Sequence, residues 1–153
     1  MTKNSPDHAA KRLARLAAVQ GLYQIALTHR SVDDVLKDFR EHPAALLQEI
    51  AEGDVMPAVD QALFTDVLTG VTKNSSDLDE MIAGAFDAKV SADRVEILLR
   101  AILRSGAFEL HHHGSIATGV IINDYVDVTH AFFGAKEPGL VNAVLDKLAK
   151  NLR

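Results

Sequence analysis

The chain has 153 residues, 48% of them hydrophobic, which is enough for one domain to bury a core without a metal or a disulfide. It contains no cysteine, which excludes disulfides, thiolate zinc sites, iron–sulfur clusters and cysteine nucleophiles. No apolar run approaches the ~18 residues that span a bilayer, and a net charge of −5, taken alone, argues against a nucleic-acid ligand.

Charge is unevenly spread, however. Residues 1–30 carry five basic side chains and one acidic, residues 31–87 three and thirteen, and residues 88–153 eight and seven. Fields act locally, over a Debye length of ~8 Å at physiological salt. A basic amino end can therefore hold phosphate while an acidic middle faces water or a basic partner. The start, Met1 to Asp7, is polar and lacks a signal-peptide core, so a flexible terminus over 1–7 and a cytoplasmic protein are expected.

Helix signals dominate from there on. Ser5 and Pro6 read as an N-cap and a first-turn proline. Leu13, Leu16, Val19, Tyr23 and Ala26 follow at spacings of three and four, one stripe on a helix of about twenty residues. Ser31 with Asp33 and Asp34 opens a second helix through Phe39, which His42-Pro43 interrupts. Gly53 and Pro57 bound a loop before a third, whose face is Val59, Leu63, Phe64, Val67, Leu68 and Val71. Asn74-Ser75-Ser76 ends it, with Ser76 capping a short fourth helix through Ile82.

Ser91 caps a fifth helix, which is apolar around most of its circumference from Val95 to Leu110 and therefore central. Its one polar stripe is Glu96, Arg100 and Arg104. Gly114-Ser115 breaks the chain before a sixth helix that carries Ile121, Tyr125 and Val128 inward. A turn over Phe133 to Gly139 leads to a seventh with Val141, Val144, Leu145 and Leu148 on one face. Seven helices with short connections predict an all-α protein, a single domain over 8–152 made of two small packed bundles, with residues 74–76 as the dividing point.

Enzyme templates are missing: there is no glycine-rich phosphate loop, GxSxG or HExxH. His111-His112-His113 is the loudest local feature. Adjacent helical side chains point ~100° apart and do not converge on one ion, whereas histidines at a helix carboxyl end complement its dipole. No metal, no cofactor and no catalytic activity are therefore expected, with a metal enzyme built on these histidines as the weaker alternative. The basic cluster is the better candidate. Lys11 and Arg15 share a face at i and i+4 with Arg12 beside them, in the first turns of a helix whose free N–H groups also favour anions. Such a surface suits single-stranded RNA better than duplex DNA, for which no recognition-helix pair exists.

Several segments resemble the NusB family of bacterial transcription antitermination factors. They are Arg12-Leu-Ala-Arg15 running into Ala18-Val-Gln-Gly-Leu-Tyr23, Arg94-Val-Glu96 through Phe108-Glu-Leu110, Val120-Ile-Ile-Asn123-Asp124, and Leu140-Val-Asn142 through Leu148-Ala. The resemblance runs in order from about residue 9 to 152. It implies a non-enzymatic, all-helical protein. It further implies binding of the boxA element of nascent rRNA transcripts, jointly with the small ribosomal protein NusE, in an RNA polymerase antitermination complex with other Nus factors. By the same resemblance Lys11, Arg12 and Arg15, and the turn of Lys136, Glu137 and Leu140, contact RNA. Tyr23 and Glu96, with Arg100 on the same stripe, face NusE. A homodimer is compatible with the family.

The chain departs from the family pattern at four positions. Leu140 replaces the usual Phe, Gly139 a basic residue, Gly119 a Lys and Ala117 a Pro. These changes remove a stacking ring and positive charge from the expected RNA surface. The competing function is a helical protein-interaction adaptor that binds no RNA directly.

Overall fold

The computed structural model describes residues 6–42, 58–85 and 96–153. Among them every regular element is an α-helix, seven in all, as the periodicity predicts. They fall into two compact units, Met1–Thr69 and Gly70–Arg153. The division lies inside a helix, a few residues before the expected 74–76.

The first unit holds α1 (Pro6–Thr28), α2 (Val32–Glu41) and the start of α3 (Gln61–Lys73). Pro6 and Asp7 belong to α1, so the helix reaches into the stretch expected to be flexible; residues 1–5 lie outside the described residues. His29, in the left-handed region at φ 57°, turns the chain after α1. Ser31 caps α2 as predicted, its Oγ accepting from Asp34 N at 3.1 Å. Phe39 of α2 stacks on Phe64 of α3 with ring centroids 4.0 Å apart. Gly21 allows the three helices to converge: a Cβ there would sit 3.0 Å from Leu68 Cδ1 and 3.1 Å from Val35 Cγ1. Val59 precedes α3 instead of lying on it, because Asp60 is the cap, accepting from Leu63 N at 3.0 Å. The Asp60 amide in turn donates to Ala10 O of α1 at 3.1 Å.

The second unit holds α4 (Ser75–Ala85), α5 (Ile97–His112), α6 (Thr118–Phe132) and α7 (Lys136–Leu152). Asn74, not Ser76, makes the α3–α4 junction: its carbonyl accepts from Leu78 N at 3.0 Å and its side-chain amide donates to Gly70 O at 2.8 Å. The expected cap Ser91 lies outside the described residues. Helix α5 is buried nearly all round from Leu99 to Leu110, as its sequence demands, with Arg100 and Arg104 alone half-exposed. Arg104 grips Asp79 of α4 in a bidentate pair at 2.7 and 2.6 Å. Against α7, α5 approaches closely: a Cβ at Gly106 would lie 2.8 Å from Leu145 Cδ1. The α6–α7 turn is shorter than predicted. Pro138 and Gly139 sit in the first turn of α7, where proline costs no hydrogen bond. Short connections over 113–117 and 133–135 make α5, α6 and α7 alternate in direction.

Candidate nucleic-acid interface

The amino end of α1 presents two cations, not three. Lys11 Nζ lies 3.3 Å from Asp7 Oδ2, with its side chain 31% exposed. Such an exposed pair is weak and yields readily to a phosphate. Arg12 is half-buried, its Nη2 donating to His8 Nε2 at 3.5 Å. Arg15, expected on the same surface, is 0% exposed and engaged within the protein. The reason is the breadth of the buried face. Residues 14–19 are buried consecutively, so α1 is enclosed on all sides there and leaves no polar stripe for a side chain one turn beyond Lys11. The spacing rule places Arg15 beside Lys11 on the helix but cannot say where solvent ends.

The second expected RNA segment opens α7. Lys136 is exposed, while Glu137 and Leu140 are half-exposed around a buried Pro138. Ala135 precedes the helix with no side-chain capping bond, and Lys136 stands in the first turn, at the positive end of the helix dipole. A Cβ at Gly119 or Gly139 would meet nothing within 4 Å, so the missing family charges are a chemical difference and not a packing demand.

Of the residues expected to face a protein partner, Tyr23 is half-buried on α1 in the first unit. Glu96 is exposed and precedes α5 with no side-chain cap, and Arg100 is half-buried one turn on. Alternation of the helices puts the amino ends of α5 and α7 at one end of the second unit. Glu96 and Arg100 therefore share that end with Lys136, Glu137 and Leu140. Ile97, 45% exposed, adds an apolar spot there.

Sequence reasoning missed the opposite end. Glu109 is 0% exposed and accepts from Tyr125 Oη and from His113 Nδ1, the latter at 3.0 Å. Its signal was one carboxylate inside an apolar run, Ala107 to Leu110. His112 stacks on Phe108 at 4.5 Å and His111 meets His112 edge-on at 4.7 Å. His111 and His112 thus meet each other, while His113 turns to Glu109. Among the described residues no group of three or more His, Cys, Asp or Glu is placed to hold a metal ion. No described helix is long and apolar enough to cross a membrane.

Residues 12–150 match the model of the NusB family. A transcription antitermination protein NusB from Nitrobacter hamburgensis is 40% identical over 140 residues, covering 92% of this chain and 86% of the relative. Another, from Nitrobacter winogradskyi, is 40% identical over 153 residues and covers 99% and 93%. A crystal structure of antitermination factors NusB and NusE in complex with dsRNA contains a chain that superposes with a TM-score of 0.71 at 22% identity, covering 92% of this chain and 96% of that one.

Proposed function

This chain belongs to the NusB family of transcription antitermination factors, and from that premise we propose that it binds a boxA-like single-stranded segment of nascent rRNA together with NusE. Family members are non-enzymatic RNA-binding adaptors. The match of residues 12–150 to that family carries the reading, and the solved NusB–NusE–RNA assembly supports the type of partner. In this reading the protein works in the cytoplasm, within an RNA polymerase complex that includes other Nus factors, and suppresses premature termination.

Each unit carries a weak surface of its own. Lys11 and Arg12 supply phosphate contacts that are salt-sensitive and poorly selective by themselves. Lys136 at the amino end of α7 supplies a second anchor. Buried Arg15 supports the helix that carries Lys11 and Arg12. In the second unit Glu96, Ile97 and Arg100 receive NusE, and in the first unit Tyr23 is its expected contact; NusE raises RNA affinity by linkage. The acidic stretch 31–87 steers a basic ribosomal protein by complementary charge.

The burial of Arg15 favours the rival adaptor reading, in which the protein holds NusE and leaves RNA untouched. Titrating labelled boxA RNA with this protein, NusE and both together, across salt, separates the two. The proposal expects tighter, salt-dependent binding by the pair than by NusE alone. Equal affinity with and without this protein supports the adaptor.

A further inference from the structure

The end of the second unit remote from Glu96 and Lys136 carries side chains to which the RNA and partner readings assign nothing. Arg153 reaches back from the end of α7 and spends its guanidinium on the α5–α6 connection. Nε donates to Leu110 O at 3.0 Å, Nη2 to His113 O at 2.8 Å, and Nη1 to Ile116 O at 2.7 Å and Thr118 Oγ1 at 3.1 Å. Four acceptors from residues 110 to 118 thus converge on one planar fork, a geometry open to arginine and closed to lysine. Two of these acceptors are carbonyls at the carboxyl end of α5, where the helix itself provides no donor and the dipole favours a cation.

From the interior a second tie reaches the same connection. His113 Nδ1 donates to Glu109, whose carboxylate also takes the Tyr125 hydroxyl of α6. His113 belongs to both ties, through its carbonyl outside and its ring inside. Its carbonyl also accepts the Ile116 amide at 3.0 Å, the hydrogen bond that shapes the turn.

We propose that residues 113–118 form a latch, locked from outside by Arg153 and from inside by Glu109, which opens and closes as one unit about His113. Charged hydrogen bonds are worth more than neutral ones, and ties that meet at one residue are energetically coupled. Breaking the outer lock at Arg153 therefore loosens the hold on His113 while the α5 interior stays closed. The inference does not rest on RNA or NusE binding, since the latch lies at the end of the unit away from those candidate contacts.

Hydrogen exchange on the full chain tests it. In Arg153→Ala the Ile116 amide exchanges faster by roughly tenfold or more, while Leu103 in mid-α5 changes little. Arg153→Lys restores part of the protection, because one ammonium cannot span four acceptors. In a cycle with His113→Ala, the double variant is less affected than the product of the two single effects. Unchanged Ile116 exchange in Arg153→Ala overturns the latch. So does a uniform acceleration of Ile116 and Leu103, which makes Arg153 a contributor to global stability only. Multiplicative effects in the cycle overturn the coupling through His113.

Discussion

The two ends of the second unit solve the problem of helix termini in opposite ways. At one end the last carbonyls of α5 are taken up by Arg153, and a buried carboxylate is shared between Tyr125 and His113. At the other, α5 and α7 begin after Glu96 and Ala135 with no side-chain cap, beside exposed Ile97 and Lys136. Internal satisfaction stiffens a structure but leaves nothing to offer a ligand. A helix start without a side-chain cap and an exposed charge have the reverse character: they add little stability and retain their binding capacity. The contrast teaches that the tied end holds the bundle together so that the open end can be spent on recognition.

Three substitutions sharpen or break that contrast. The largest effect belongs to the tied end. Glu109→Ala strips a buried network of its acceptor and leaves the Tyr125 hydroxyl without its carboxylate, at a cost of about 3 kcal/mol. Thermal unfolding should record a fall in Tm of roughly 6–12 °C, with boxA affinity of the folded protein unchanged. A fall confined to a degree or two removes the tied end from the stability of the unit.

Next comes Lys136→Glu at the open end. Charge reversal at an exposed residue leaves Tm within about 2 °C. It should weaken boxA binding by the ternary complex roughly tenfold and flatten the salt dependence by about one phosphate contact. Filter binding or anisotropy at several salt concentrations reads both. If stability drops and RNA affinity holds, the ends have been assigned the wrong way round.

The smallest effect is a trade. Glu96→Ser supplies the side-chain cap that α5 lacks and should stabilise by roughly 0.5–1 kcal/mol in denaturant unfolding. It also removes the carboxylate expected to meet NusE, so partner affinity measured by calorimetry should fall a few-fold. A gain in stability with NusE affinity intact leaves Glu96 as a surface charge.

Period and caps made much of this architecture legible before the structure. The stripes of α2, α3 and α7 and the all-round apolarity of α5 follow from 3.6-residue periodicity, and Ser31 caps where a short polar side chain before two aspartates should. Two boundaries differ from the periodicity for local reasons. Asp60 caps α3 one residue beyond Val59, and Asn74 precedes α4 where Ser76 looks the equal candidate, because the start is decided by which oxygen the turn aims at the free N–H groups.

The candidate site was legible as residue types and less so as a surface. Lys11, Arg12 and Lys136 stand at or near the surface where the spacing put them, whereas Arg15 is enclosed, since an alanine-rich helix can be packed on more faces than its large apolar residues mark. The latch at Arg153 was invisible to sequence patterns. Three of its four partners are backbone carbonyls some forty residues away, contributed by no particular side chain.

The most direct measurement is the salt dependence of boxA affinity for the NusE-bound protein, compared with Lys11→Glu/Arg12→Glu in the same complex. The account predicts that the double reversal lowers affinity at low salt by one to two orders of magnitude, roughly, and flattens the slope, with NusE affinity intact. Superimposable wild-type and variant curves would contradict it, because the amino end of α1 would then be bystander charge.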